Sequence, residues 1–95
     1  MASKIHGKVV EVDANGNLIT DIKEDQLSQT PRDETVRIVI DEHETLGIFS
    51  EDHGQPEMTL IAILAGDQPL RIELTGDSAS AMLGVRVGAP VEIIW

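Results

Sequence analysis

A cluster of oxygen-bearing side chains lies early in the chain, within the stretch VDANGNLITDI at positions 12–22. A calcium-binding loop places its ligands at loop positions 1, 3, 5, 9 and 12, which here are Asp13, Asn15, Asn17, Asp21 and Glu24. Such a loop needs glycine at position 6, where this chain has Leu18. Strand-like runs also flank the cluster, whereas helices flank a calcium loop. These departures argue against a calcium site.

The dipeptide Asn15-Gly16 predicts a hairpin turn at the same place. Both residues tolerate the positive φ that tight hairpin turns require. Alternating apolar residues stand on either side of the pair, as they do along two neighbouring strands. The cluster is therefore expected to join the first two strands.

The other reactive side chains suggest neither a catalytic set nor a metal site. His6, His43 and His53 are far apart and lack metal-ligand spacing, so we expect ordinary exposed histidines. Ser78 and Ser80 have no paired base, which favours helix capping over nucleophilic catalysis. The chain also has no cysteine, so thiolate zinc sites and cysteine nucleophiles are absent. We expect no metal, no cofactor and no catalytic residue.

Composition and charge exclude several classes of partner. The 95 residues include 17 Asp and Glu but only 7 Lys and Arg, giving a formal net charge of −10. Such a surface repels nucleic acid and anionic lipid, and Phe49 and Trp95 are the chain's only aromatic residues. The amino terminus lacks the apolar segment of a signal peptide, and the longest apolar run is too short to cross a bilayer. We expect a cytoplasmic protein.

Strand patterns dominate the chain. Alternation predicts buried faces formed by Val36, Ile38 and Ile40, by Leu70, Ile72 and Leu74, and by Val91, Ile93 and Trp95. The run MTLIAIL is apolar on both faces and predicts a central strand. One helix is predicted over ASAML, begun by Asp77 or Ser78 and ended by Gly84, with a single helical turn at residues 24–27. Residues 1–95 are expected to form one β-rich domain.

Two long segments resemble a known domain family. VDANGNLITDI is similar to the VDxFGNLITNI segment of the C-terminal domain of S-adenosyl-L-methionine hydroxide adenosyltransferases, a family that includes the fluorinase and chlorinase. The segment GIFSEDHGQPEMTLIAILAGDQPLRIELTGDSASAMLGVRVGAPVEI follows the closing pattern of that domain. The resemblance runs from about Ile5 to Ile94. It implies a small closed antiparallel Greek-key β-barrel of about seven strands with one short helix.

The resemblance also implies a nucleoside site on one rim of the barrel. The asparagine of the FGN motif, which contacts adenine in the family, corresponds to Asn17. Asn15 stands where the family has the aromatic residue that stacks on the purine. The other implied contacts come from the hairpin, the aromatic segment, the glycine turn and the helix start. The implied ligand-binding residues are Asn15, Gly16, Asn17, Phe49, Gly66, Asp67, Ser78 and Ala79.

The implied function is that of a stand-alone binding module without catalytic activity. In the family, a larger N-terminal domain carries the catalytic residues, and the C-terminal domain covers the adenine. Adenosine or S-adenosylmethionine is the implied ligand. One alternative is a protein-interaction or oligomerisation module that exposes Phe49, Leu70 or Trp95. Another is a subunit that completes a separately encoded catalytic domain.

Overall fold

The computed structural model describes residues 3–95, and within them the chain forms eight strands, one helix and one 3₁₀ turn. The strands are β1 (Lys4–Val12), β2 (Leu18–Thr20), β3 (Arg37–Ile40), β4 (His43–Leu46), β5 (Ile48–Phe49), β6 (Leu60–Ile63), β7 (Arg71–Leu74) and β8 (Pro90–Ile94). The helix α1 spans Ala79–Leu83, and the 3₁₀ turn spans Glu24–Leu27. The strand order is β4-β3-β8-β1-β2-β7-β6-β5.

The long strand β1 belongs to both halves of this sheet. Its first half, Lys4 to Lys8, pairs antiparallel with β8, and its second half, from Val9 to Val12, pairs antiparallel with β2. A register shift between Val9 and Glu11 separates the two halves. Irregularities of this kind bend a strand and increase its twist, which lets β1 turn from one half of the barrel to the other.

One bent segment brings the two ends of the sheet together. Gly47, with φ 84°, is the single residue between β4 and β5. β4 pairs with β3, whereas β5 pairs parallel with β6, so the segment contacts both ends of the strand order. The Thr45 hydroxyl, on β4, donates a 2.6 Å hydrogen bond to the carbonyl oxygen of Leu60 on β6. The barrel is nearly closed.

The predicted all-β barrel with one short helix is confirmed. The expectation of a purely antiparallel barrel is wrong, because β5 and β6 run parallel. The number of strands is eight rather than about seven, because the two residues of β5 are too few to show any alternation.

The core follows the predicted alternation. Side chains from all parts of the barrel are buried together, including Val9, Leu18, Val36, Ile38, Ile40, Leu70, Ile72, Leu74, Val91 and Ile93. Trp95 is partly buried against them. β6 is buried on both faces, as its sequence predicted, since Ile61 and Ile63 are each 1% exposed on the face opposite Ala62. The predicted burial of both faces is confirmed, but the strand is not central, since it lies second from the end of the strand order, between β7 and the two-residue β5.

The helix ends are formed by the residues that the sequence indicated. The Ser78 hydroxyl accepts a 3.1 Å hydrogen bond from the Ala81 amide, so Ser78 rather than Asp77 is the N-cap. Gly84 adopts φ 68°, and its amide donates to the Ser80 carbonyl at 2.9 Å. Within residues 3–95 no helix has both the length and the apolar character that spanning a membrane would need.

Ser3 and Trp95 lie side by side. The Ser3 amide donates to the Trp95 carbonyl at 2.6 Å, and the Trp95 amide donates to the Ser3 carbonyl at 3.0 Å. This reciprocal pair extends the β1–β8 ladder by one step beyond the pairing of Lys4 with Ile94.

Gly7 leaves room for the segment that follows β2. It lies on the inward face of β1 opposite the buried Val91. A Cβ built at Gly7 would stand 2.5 Å from Ile22 Cγ1 and 2.6 Å from Asp21 Oδ1. Ile22 is fully buried there, and the Lys8 amide donates a 2.9 Å hydrogen bond to Asp21 Oδ1. The missing side chain therefore allows this close contact.

We expect Gly7→Ala to destabilise the fold by about 1–3 kcal/mol, because the added methyl group overpacks a site that is already filled. Chemical denaturation of the wild type and the variant measures the difference. The change should be smaller in an Ile22→Ala background, where the clashing Ile22 atoms are gone and Asp21 Oδ1 is the close neighbour that is left. An equal loss in both backgrounds would show that contact with Ile22 is not the cause.

Candidate functional site

The hairpin after β1 is organised around one carboxylate. Asp13 Oδ1 accepts hydrogen bonds from the amides of Asn15 and Asn17, both at 2.9 Å. Asp13 Oδ2 accepts from the side-chain amide of Asn17 at 3.1 Å. The backbone of Asp13 also bonds to Asn17 and to Gly16. The predicted hairpin turn is confirmed, but its central residues are Ala14 and Asn15, because the Gly16 amide donates to the Asp13 carbonyl. Of the pair Asn15-Gly16, Gly16 has positive φ, 81°, and Asn15 does not.

These hydrogen bonds change the acidity of Asp13. Desolvation raises its pKa, whereas the donors from Asn17 and Asn15 lower it, and the nearby positive charge of Arg71 lowers it further. Together the lowering contributions prevail, so the pKa of Asp13 lies below its ordinary value. Asp13 is therefore an ionised acceptor at neutral pH, and it holds the Asn17 amide in one orientation.

Close packing holds the hairpin against the start of α1. A Cβ built at Gly16 would overlap the hydroxyl oxygen of Ser78. The Ser80 amide donates a 2.9 Å hydrogen bond to the Gly16 carbonyl, and Ala79 is fully buried beside them. The structure thus brings together the predicted residues Asn15, Gly16, Asn17, Ser78 and Ala79.

A shallow groove of about 380 Å³ opens beside this contact. Its lining is mostly polar and comes from the hairpin and from the end of β7: Asn15, Asn17, Glu73, Leu74, Gly76 and Asp77. The lining carries two carboxylates, Asp77 and Glu73, of which Glu73 is ion-paired with Arg71. The resemblance did not indicate these two residues, although the alternation around Arg71 places Glu73 on the outer face.

Gly66 and Asp67 lie elsewhere. β2 and β7 are antiparallel, with Leu18 opposite Ile72, so the residues after β7 lie near the hairpin and those before β7 lie at the other end. Asp67, in the turn before β7, lines a separate hollow of about 600 Å³ with residues of the 3₁₀ turn region: Lys23, Glu24, Asp25, Ser28 and Arg32. The expectation that Gly66 and Asp67 lie on the same rim as the hairpin is wrong.

Phe49 is also outside the groove. It is half-buried and lines a third hollow, of about 420 Å³, with residues 32–35, Leu46 and Ile48. Leu70 is fully buried and Trp95 is partly buried, so neither provides the exposed apolar anchor of the interaction-module alternative. Among residues 3–95, the large apolar side chains that are exposed are instead Val10, Leu46, Met58, Met82 and Val87.

A buried threonine anchors the segment next to the groove. The Thr75 hydroxyl donates to the Pro56 carbonyl at 2.5 Å and accepts from the Thr59 amide at 2.9 Å. Its backbone amide donates to the Thr59 carbonyl at 3.0 Å, and its carbonyl accepts from the Met58 amide at 2.7 Å. Glu57 then lies against Gly76, since a Cβ there would be 3.2 Å from Glu57 Cγ. Nothing in the sequence pattern indicates this role of Thr75.

The three histidines have separate local contacts. His43 Nε2 donates to the Leu83 carbonyl at 3.0 Å, and His53 Nδ1 accepts from the Gln55 amide at 3.0 Å. His6 Nδ1 is 3.4 Å from Glu92 Oε2. Across residues 3–95, no group of three His, Asp or Glu side chains has an arrangement that could hold a metal ion.

The domain is a small β-barrel with both parallel and antiparallel strand pairs, and a polar groove lies beside its first hairpin. The chain belongs to the SAM hydroxide adenosyltransferase C-terminal domain family, whose match covers residues 7–92. The resemblance seen in the sequence is confirmed.

Solved structures give the same picture of the fold. An uncharacterized conserved protein from Thermotoga maritima is 26% identical in sequence to this chain, with a TM-score of 0.77. The match covers 95% of this chain and 35% of the Thermotoga chain. A conserved hypothetical protein from Thermus thermophilus is 23% identical, with a TM-score of 0.71 over 93% of this chain and 34% of its own. The chain thus spans about a third of the length of each. A comparison with curated proteins gives no match.

We expect Gly16→Ala to be much more damaging than Gly84→Ala. Both glycines have positive φ, 81° and 68°, so alanine costs about 1–2 kcal/mol of backbone strain at each. Only at Gly16 does the new methyl group also meet Ser78, because a Cβ at Gly84 has no neighbour within 4 Å. The collision should add about 1–3 kcal/mol to the loss of unfolding free energy. Equal losses at the two positions would contradict a tight hairpin–helix contact.

The stability of the hairpin should also depend on pH through the ionisation of Asp13. Since its pKa is lower in the folded chain, the ionised carboxylate stabilises the fold above the unfolded pKa of about 4. That stabilisation is lost as the pH falls through the folded pKa. The amide NMR signals of Asn15 and Asn17 should shift with a midpoint below about pH 4, and Asp13→Asn should abolish the transition. A midpoint at or above that pH would contradict the hydrogen-bonded carboxylate.

Proposed function

We propose that this chain is a non-catalytic binding module that holds the purine edge of an adenine nucleoside in the groove between its first hairpin and the Gly76 turn. The observation that carries this proposal is the fixed orientation of the Asn17 amide by Asp13 at the wall of the groove. Membership of the C-terminal domain family supports the same ligand class.

The Asn17 side chain has the hydrogen-bonding groups that adenine requires. One of its two N–H groups is donated to Asp13 Oδ2, which leaves the other N–H and the carbonyl oxygen. A planar amide with these two groups matches the N6 and N7 positions of adenine, which present a donor and an acceptor. Because Asp13 already orders the amide, less side-chain entropy is lost on binding.

The charge of the groove favours a neutral or cationic ligand. Asp77 and the Arg71-paired Glu73 line it, and the chain carries a net charge of −10. Phosphorylated nucleosides would be repelled by the Asp77 carboxylate and by the net negative charge of the chain. Adenosine is neutral and S-adenosylmethionine has a sulfonium centre, so both fit the electrostatics.

Binding by the chain alone should be weak. The groove is open to solvent, whereas tight small-molecule sites bury most of the ligand. Asn15 also gives no aromatic surface for stacking, which is worth about 1–3 kcal/mol per base. We expect a dissociation constant of roughly 1 mM, equivalent to about 4 kcal/mol.

The matched structures are about three times as long as this chain, which favours a second candidate in which another domain closes the groove.

The test is an amide NMR titration of the chain with adenosine and with S-adenosylmethionine. We expect shifts centred on residues 15–17 and 76–79. Asn17→Ala should weaken binding about 5- to 150-fold, because a bidentate pair is worth about 1–3 kcal/mol. Asp67→Asn is the matched control, since Asp67 lines a different hollow and should leave the affinity unchanged.

Two results would contradict the proposal. A spectrum that does not change at several millimolar ligand would remove the nucleoside function of the groove. Shifts that are abolished by Asp67→Asn but survive Asn17→Ala would place binding at the other end of β7.

A further inference from the structure

The chain has two asparagines, and they differ in the residue that follows and in what holds the side chain. Asn15 precedes Gly16 and is exposed, and its hydrogen bond to Asp13 uses the backbone amide. Asn17 precedes Leu18 and is half-buried, and its side-chain amide donates to Asp13 Oδ2. An asparagine followed by glycine is open to attack by the next backbone nitrogen, because glycine has no Cβ to obstruct it. Asn15 is the asparagine that meets this condition.

The reaction is deamidation, and its only co-reactant is water. The Gly16 nitrogen loses its proton to a base in solution and attacks Cγ of Asn15. A new N–C bond closes a five-membered succinimide ring, and the side-chain nitrogen leaves as ammonia, taking up a proton. Water then opens the ring at one of its two carbonyl carbons, which gives aspartate or isoaspartate. Nothing is oxidised or reduced.

The folded hairpin opposes the first step. The Gly16 amide donates a 3.0 Å hydrogen bond to the Asp13 carbonyl, and Gly16 is buried. A buried, hydrogen-bonded amide loses its proton to solvent only when the structure around it opens. The attacking nitrogen is therefore available only in molecules whose hairpin has opened.

The shape of the turn also opposes ring closure. Neither Ala14 nor Asn15 has positive φ, and the bond from Gly16 to Asp13 closes the turn, as in a type I turn. The third residue of such a turn has ψ of about 0°, so its own nitrogen, rather than its Cβ, lies on the same side as the following nitrogen. Ring closure needs Cβ on that side. The required rotation about the Asn15 Cα–C bond breaks the hydrogen bond of the turn.

Contact with α1 restricts this rotation further. The Ser80 amide donates to the Gly16 carbonyl at 2.9 Å, and Ser78 leaves no space for a Cβ at Gly16. Gly16 therefore cannot move far without breaking its contact with the helix. The hydrogen bonds that form the hairpin thus also protect Asn15.

We propose that Asn15 is the site of spontaneous deamidation in this chain, and that the hairpin organised by Asp13 controls its rate. The reaction takes place in the minority of molecules whose hairpin is open. It does not depend on whether the groove binds a nucleoside.

Either product changes the groove permanently. Aspartate at position 15 adds a third carboxylate to a lining that already contains Asp77 and Glu73. Isoaspartate also lengthens the backbone by one carbon just before Gly16, where the hairpin packs tightly against Ser78. Deamidation is therefore a one-way change in the charge of the groove and in the fit of its hairpin.

The first test is mass spectrometric peptide mapping of the whole chain, incubated at mildly alkaline pH with and without urea. Fragment ions should place the exchange of nitrogen for oxygen at Asn15. The rate should be at least about tenfold lower in the folded chain than in urea, because the fold must open first. Asn17 is the internal control and should react far more slowly in both conditions, since the side chain of Leu18 obstructs attack.

Loosening the hairpin should accelerate the reaction. Asp13→Ala removes the carboxylate that accepts from the backbone amides of residues 15 and 17, so the rate at Asn15 in the folded chain should rise at least about tenfold. Hydrogen exchange of the Gly16 amide, followed by NMR, should accelerate by a similar factor, because both processes need the same opening.

Asp33→Ala is the matched control. The Asp33 turn has the same pattern of hydrogen bonds, since its carboxylate accepts from the Thr35 amide at 3.0 Å and its carbonyl accepts from the Val36 amide at 3.3 Å. This turn lies before β3, outside the first hairpin. Asp33→Ala should therefore leave the rate at Asn15 unchanged.

Several results would overturn the proposal. Equal rates with and without urea, or an unchanged rate in folded Asp13→Ala, would show that the hairpin does not control the reaction. Equal acceleration by Asp13→Ala and Asp33→Ala would attribute it to general loss of stability. Reaction at Asn17 as fast as at Asn15, or no reaction at either in urea, would remove the assignment of the site.

Discussion

The hydrogen bonds of β1 connect the two halves of this barrel. The strand gives one set of backbone partners to β8 and another to β2, and it changes direction between them near Val9. Gly7 must lack a side chain on the inner face so that Ile22 can fill the corner behind β2. The hairpin that carries Asp13 and Asn17 follows β1 directly, so its position depends on the same strand.

The candidate site depends on a carboxylate and a glycine that together set the shape of the hairpin. Asp13 uses both oxygens to hold the amides of Asn15 and Asn17, and Gly16 lets the hairpin approach Ser78. The groove is therefore formed by local backbone geometry rather than by a deep cavity in the core. This explains how a domain with one modest core can present ordered polar groups at its surface.

Much of the fold could be predicted from the sequence, because alternation directly reports which strand face is buried. Ile38, Ile72 and Ile93 are examples, and Ser78 and Gly84 likewise follow from the chemistry of helix ends. The site was only partly predictable. Which end of β7 lies near Asn17 depends on the pairing of Leu18 with Ile72, and no local pattern encodes such long-range register. The left-handed Met58 and the four hydrogen bonds of Thr75 are also products of tertiary structure.

The reciprocal hydrogen bonds between Ser3 and Trp95 have a topological consequence. Since the two positions are neighbours across one ladder, a short peptide joining them would make the backbone circular without disturbing any strand. New termini could then be opened at an exposed turn such as the one containing Gly66, where a Cβ meets no neighbour. For the same reason, the barrel could be inserted as a unit into a surface loop of another protein, entering and leaving at almost the same point.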